Sequence, residues 1–171
     1  MLTKGCMDMF GFISAARQQY RVLVAVAATL LLAGGVYAQN FTFSQDGEDV
    51  VVARAGEVSE VSFTLSLESP WYIYAPTGIN EDQGLIETRL VMRPNKDIQF
   101  ADAVFPPAES FGTYDVLRGS GNVVTQPFRV RPRTPAGDYS VKGFVEYQTC
   151  DGTICLPPNR ASVKFTVRVV E

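Results

Sequence analysis

The sequence predicts an all-β domain, on three observations. Apolar and polar residues alternate with period two, turn-forming clusters interrupt that alternation at short intervals, and no stretch beyond residue 38 sustains a helical period. The alternation is clearest in three places. Over 61–67, Val61, Phe63, Leu65 and Leu67 interleave with Ser62, Thr64 and Ser66. Over 141–147, Val141, Gly143, Val145 and Tyr147 alternate with Lys142, Phe144 and Glu146. Over 163–169, Val163, Phe165, Val167 and Val169 alternate with Lys164, Thr166 and Arg168. Successive strand side chains point to opposite faces, so each run reads as a strand with one buried face.

Weaker runs at 41–45, 49–54, 71–75, 86–92, 98–104, 113–117 and 122–131 extend the series. Ala55-Gly56, Arg93-Pro94-Asn95, Gly119-Ser120-Gly121 and Pro135-Ala136-Gly137-Asp138 supply turns between them. Many short strands at this spacing suggest an immunoglobulin-like two-sheet sandwich. Residues 105–112 break the rhythm: Pro106 and Pro107 cannot donate to a ladder, so a loop is expected there. Phe111 beside Gly112 is then either a lid carried on that loop or a plug in the open end of the sandwich.

The first 38 residues read differently. Lys4, Arg17 and Arg21 precede the apolar run Val22 to Leu32, and Val36 and Ala38 offer the small side chains of a cleavage site, so 1–38 reads as a secretory signal peptide cut after Ala38. A retained anchor is the alternative, although Val22 to Ala38 falls short of the roughly 20 residues a span needs. Cys6 would leave with the signal. Residues 39–171 form one domain, expected to be exported and not membrane-spanning, in a compartment where disulfides persist.

Charge and composition exclude several functions. Setting aside Lys4, Arg17, Arg21 and Asp8 reduces the chain totals of 15 basic and 18 acidic residues to 12 and 17, a net charge of −5. The basic residues are scattered, and Arg129, Arg131 and Arg133 read as the solvated face of a strand, so nucleic acid is not a partner. The chain has no histidine, which removes Ser-His and Cys-His nucleophile pairs and His-bearing zinc sites.

What remains for chemistry is Cys150-Asp151-Gly152-Thr153-Ile154-Cys155, followed by Leu156-Pro157-Pro158. The two thiols flank a turn between strand patterns, where a return of the chain brings sulfurs within bonding reach. A disulfide across so short a loop adds less chain-entropy stabilisation than the ~3 kcal/mol of a 15-residue loop. A domain of this size has a core of its own, so redox chemistry explains the pair better than a structural staple does. A metal site is the further alternative, with Asp151 as the one additional local ligand. The C-x4-C spacing also differs from the C-x-x-C that places a thiolate at a helix amino terminus.

These residues resemble a known family. Tyr147-Gln148-Thr149-Cys150, four intervening residues and Cys155-Leu156-Pro157-Pro158 are similar to the active-site hairpin of the periplasmic amino-terminal domain of the thiol:disulfide interchange protein DsbD. The resemblance extends to Trp71-Tyr72-Ile73-Tyr74, where the family has an aromatic strand with two tyrosines. It reaches Glu109-Ser110-Phe111-Gly112, where the family has an acidic and aromatic cap loop. The spacing here is four residues where the best-known members have five, which requires a tighter turn.

The resemblance implies an immunoglobulin-like fold and a relay of reducing equivalents in the periplasm without a bound cofactor. Its partners would be a membrane-embedded thiol reductase and thioredoxin-like periplasmic proteins. It further implies that Cys155 forms the mixed disulfide and Cys150 resolves it. Phe111 would shield the pair, Tyr72 and Tyr74 would wall the site, and Glu109 would disfavour a thiolate. The competing reading is a non-catalytic immunoglobulin-like binding module with a structural disulfide and a partner surface around Trp71.

Overall fold

The computed structural model describes residues 40–171, and the segment read as a signal peptide lies outside the described residues. In chain order the strands are β1 (Phe41–Gln45), β2 (Val50–Arg54), β3 (Val58–Leu67), β4 (Tyr72–Tyr74), β5 (Arg89–Met92) and β6 (Ile98–Phe100). They continue with β7 (Glu109–Phe111), β8 (Tyr114–Arg118), β9 (Asn122–Val130), β10 (Gly137–Tyr147), β11 (Thr149–Cys150) and β12 (Asn159–Val170). A single helical turn, α1 (Ile79–Asp82), lies between β4 and β5.

Two four-stranded sheets make the sandwich. One has the order β1-β3-β9-β6 and is antiparallel throughout; the other has the order β2-β12-β10-β5, with β2 running parallel to β12. The alternation read from sequence sets which residues meet between them. Val61 and Phe63 of β3 and Phe128 and Val130 of β9 face Val141 of β10 and Val163, Phe165, Val167 and Val169 of β12, all buried. Phe165 lies edge-on to Phe63 at 6.2 Å and tilted to Phe128 at 6.4 Å. Fully burying one such ring stabilises by about 1.5–3 kcal/mol, so this aromatic contact anchors the middle of the domain.

A third sheet, β11-β4-β8-β7, is what the sequence did not foresee. Its inner face sends Ile73 and Leu117 into a second core cluster with Leu65, Leu67, Val124 and Val145. Its outer face carries Tyr72, Tyr74, Val116 and Cys150, which form a cluster of their own. The sheet therefore caps the sandwich and presents the cysteine on its far side.

The expectation of a loop over 105–112 is corrected in its second half. Pro106 and Pro107 stay out of any ladder, but Glu109–Phe111 pairs with β8 through Glu109↔Val116, Ser110↔Asp115 and Phe111↔Tyr114. Once past the prolines the chain regains its N–H donors, and the free edge of β8 receives them. Gly112, at φ +69°, opens the two-residue turn that reverses the chain, a conformation that residues with a Cβ rarely adopt.

The expected strand at 98–104 stops at Phe100 for a different reason. Pro127 of β9 lies opposite Ala101 and has no N–H, so the carbonyl of Ala101 accepts instead from the buried side-chain amide of Gln126 at 2.7 Å. The segment pairs with β9 again at the Val104↔Thr125 bridge.

Candidate functional site

The cysteines lie on the edge of the third sheet. β11 ends at Cys150, the chain turns through Asp151–Ile154, and Cys155 returns directly opposite Cys150 as an antiparallel bridge. Asp151 N–H donates to the Ile154 carbonyl at 3.1 Å and Leu156 N–H to the Thr149 carbonyl at 2.9 Å. The two cysteines thus occupy the position between hydrogen-bonded pairs, where facing side chains come closest. Their Cα atoms are 4.1 Å apart and the sulfurs are bonded.

The turn owes its shape to Asp151. Its carboxylate accepts from the N–H groups of Thr153 and Ile154, both at 2.8 Å. Those donors, Ile154 foremost, hold the Asp151 carboxyl below its ordinary value. Gly152 supplies φ +93°, which closes a turn tight enough for a four-residue spacing. Gln148 braces the far side by donating to the Leu156 carbonyl at 3.0 Å.

The two sulfurs see different surroundings. Cys150 is 0% exposed, paired to β4 and packed among tyrosines, whereas Cys155 is exposed between the exposed residues Ile154, Leu156, Pro157 and Pro158. The difference follows from position. Cys150 has β4 at its back, and Cys155, on the outer arm of the turn, has no further strand beyond it among the described residues.

Register places the rest of the site. Cys150 stands opposite Tyr72, which stands opposite Arg118, so one row of the outer face runs Cys155, Cys150, Tyr72, Arg118. Tyr74 lies two residues along β4 on the same face, with its ring edge-on to Tyr72 at 5.9 Å. Its hydroxyl sits 4.0 Å from Cys155 Sγ, and since that sulfur is bonded to another, the hydroxyl is the donor. Burial pushes the pKa of both phenols up, and for Tyr72 the neighbouring hydroxyls of Tyr114 and Tyr74 add to the rise. Both therefore stay protonated and act as hydrogen-bond donors, never as bases, at physiological pH.

Phe111 and Glu109 reach this face through the β7–β8 hairpin. The Phe111 ring lies 5.6 Å from Tyr72 and 5.6 Å from Tyr114, so it covers the tyrosine wall, and it remains 38% exposed. Glu109 is turned to Arg118, with Oε2 3.1 Å from Nε. Trp71 is half-buried against the sandwich core, which leaves little of it for a partner surface.

Sequence reasoning missed three residues here. Arg118 spans Glu109, Phe111 and Tyr72; Tyr114 completes the aromatic layer. Asn80, fully buried in α1, donates to the carbonyls of Ala75 and Asp115 at 2.7 and 2.8 Å and accepts from Asp115 N–H at 3.0 Å. It ties the segment carrying Leu85, which packs on the tyrosines, to β8. The spacing Tyr114, Val116, Arg118 was a legible period-two signal, but nothing in it said which face it shared.

No protein-family model and no curated protein matches the sequence. Among solved structures, the chain is similar to the DsbD N-terminal domain of Neisseria meningitidis in its reduced form, with 15% identity and a TM-score of 0.46 over 76% of this chain and 87% of that one. It is also similar to the N-terminal periplasmic domain of ScsB from Proteus mirabilis, with 12% identity and a TM-score of 0.42 over 73% of this chain and 44% of that one. A PapD-like domain of human CEP192 aligns with 11% identity and a TM-score of 0.41 over 78% of this chain and 87% of that one.

Proposed function

We propose that residues 39–171 form a thiol–disulfide exchange domain that relays reducing equivalents in the periplasm, from a membrane-embedded thiol reductase to thioredoxin-like proteins. The observation that carries this reading is the asymmetry of the pair: an exposed cysteine bonded to a fully buried one across a four-residue turn. A staple has no use for that difference, whereas exchange chemistry needs one sulfur that a partner reaches and another that leaves and returns. The likeness of the hairpin, the tyrosine strand and the Glu109–Gly112 segment to the DsbD family supports the same reading.

The electrons of the cycle pass through the two thiols alone. A thiolate of the reductase attacks Cys155 Sγ, forming an intermolecular disulfide while the Cys150–Cys155 bond breaks. The electron pair of that bond leaves on Cys150 Sγ, which takes up a proton. A second reductase thiol then attacks the mixed disulfide, releasing the oxidised reductase and the reduced domain. Toward a substrate, the Cys155 thiolate attacks the substrate's disulfide and Cys150 resolves the intermediate, restoring the bond. Tyr74, already within reach of Cys155 Sγ, donates to the Cys155 thiolate that the first half-cycle releases and the second consumes.

The reduction potential of the pair tests the proposal. An exchange-active disulfide equilibrates with glutathione or thioredoxin buffers, while structural bridges typically lie below about −300 mV. A value in that structural range would favour the binding module with a structural disulfide.

A further inference from the structure

β5 is the outer strand of its sheet, with β10 on one side and no strand on the other. Arg93 N–H donates to the Lys142 carbonyl at 2.9 Å, so by the alternation of an antiparallel ladder the N–H and C=O of Leu90 turn away from β10. On that outer side Thr88 N–H still meets the Tyr74 carbonyl at 2.9 Å, continuing the Tyr74↔Glu87 bridge. The pairing goes no further, because Pro76 stands where the next donor would be and has no N–H for the Thr88 carbonyl. From there on the edge borders a cleft of about 590 Å³ rather than a strand. Residues 88–91 all line it although their side chains alternate between faces, so the cleft runs along the edge of the strand and not over one face. Asp102, Ala103 and Phe105 wall the opposite side.

We propose that this cleft is a second binding site, which takes an extended polypeptide segment carrying a lysine or arginine as a strand added to β5. The Thr88 carbonyl and the N–H and C=O of Leu90 are the groups such a strand pairs with. At about 3.3 Å per residue, 4.8 Å between strands and 10 Å between sheets, a strand residue occupies roughly 160 Å³, so the cleft holds roughly three to four. Thr88 is fully buried in its wall and Oγ1 has no hydrogen-bond partner, which costs free energy until a ligand supplies one. The open charge is negative: Arg89 is already held by Glu81 at 2.8 Å, whereas the exposed Asp102 enters no ion pair among the described residues. A second copy of the chain fits poorly, because the facing wall leaves room for one strand and an intact sheet brings its neighbours with it. No residue of the cysteine turn lines the cleft, so the site stands apart from the exchange reading.

The test is titration of the isotope-labelled oxidised protein with a blocked hexapeptide of alternating valine and threonine that carries one central lysine, followed by amide NMR. Resonances of 88–92 and 102–108 should shift saturably while those of 149–156 stay put. The Leu90 amide should exchange about tenfold more slowly at nine-tenths saturation, in proportion to the free fraction. Replacing the lysine by glutamate removes an exposed ion pair and should weaken binding roughly 2- to 5-fold. Asp102→Lys, at an exposed position, should invert that preference. Reduction of Cys150 and Cys155 should leave the affinity unchanged.

No saturable shift at millimolar peptide, shifts centred on the cysteine turn, a Leu90 amide already slow in the free protein, or a lysine preference that survives Asp102→Lys overturns the proposal. So does protection of Leu90 that grows with protein concentration in the absence of peptide, which marks a second copy as the occupant. A reduction potential in the structural range, which would sink the exchange reading, leaves every one of these expectations in place.

Discussion

Single-cysteine variants read the division of labour between the sulfurs directly. In Cys150→Ala the remaining thiol, Cys155, lies on the exposed arm of the hairpin; in Cys155→Ala the remaining thiol, Cys150, is 0% exposed beneath the tyrosines. To reach Cys150 a reagent must wait until β11 lifts from β4, where two residue pairs hold it, Thr149↔Ile73 and Cys150↔Tyr72. Breaking those ladder bonds and exposing one small apolar side chain costs roughly 2–3 kcal/mol. Alkylation by iodoacetamide, compared at the plateau where each thiol is fully ionised, should therefore be roughly 30- to 150-fold faster for Cys155. The same asymmetry predicts that Cys150→Ala accumulates a mixed disulfide with an oxidised thioredoxin-like protein, visible as a reductant-sensitive band, and that Cys155→Ala accumulates little. Equal alkylation rates, or trapping through Cys150, would refute the assignment of Cys155 as the attacked sulfur.

Phe111→Ala removes a ring in contact with Tyr72, Tyr114 and Arg118. It should speed exchange with a small thiol several-fold while costing only about 1–2 kcal/mol of stability, read from the midpoint of urea unfolding. An unchanged rate would make Phe111 a packing residue. Tyr74→Phe deletes the hydroxyl beside Cys155 Sγ and should raise the Cys155 thiol pKa in the reduced protein by about half a unit to one unit, measured by alkylation against pH; no shift would mean that the hydroxyl does not serve the thiolate. The Asp151 carboxyl is held below its ordinary value of 3.8 by the turn's N–H groups, so the turn it organises is complete above that value and is lost as pH falls through the lowered folded one. The amide resonances of Thr153 and Ile154 should titrate with a midpoint below 3.8, and a midpoint at or above it would contradict the turn geometry.

The sequence by itself determined the principal strands of the sandwich and the faces they bury. Val61, Phe63 and Leu65, and Val163, Phe165 and Val167, alternate in sequence and are buried in the structure, because the period of a strand is local and each apolar side chain declares its face. It also singled out sulfur as the candidate chemistry, since the sequence holds no histidine. Even the tight return between Cys150 and Cys155 was legible, because Asp, Gly and Thr between two strands form a local turn.

Only the tertiary structure decided that Cys150, Tyr72 and Arg118 form one row, that Glu109–Phe111 is a strand, and that Gln126 replaces the hydrogen bond Pro127 cannot make. Each of these depends on which strand lies beside which and in what register. Register is set by cross-strand pairs far apart in the chain, and a slip of one residue would turn every side chain to the other face. Local alternation is blind to it, so the residues of the site could be suspected one by one, but their assembly on one face had to await the third sheet.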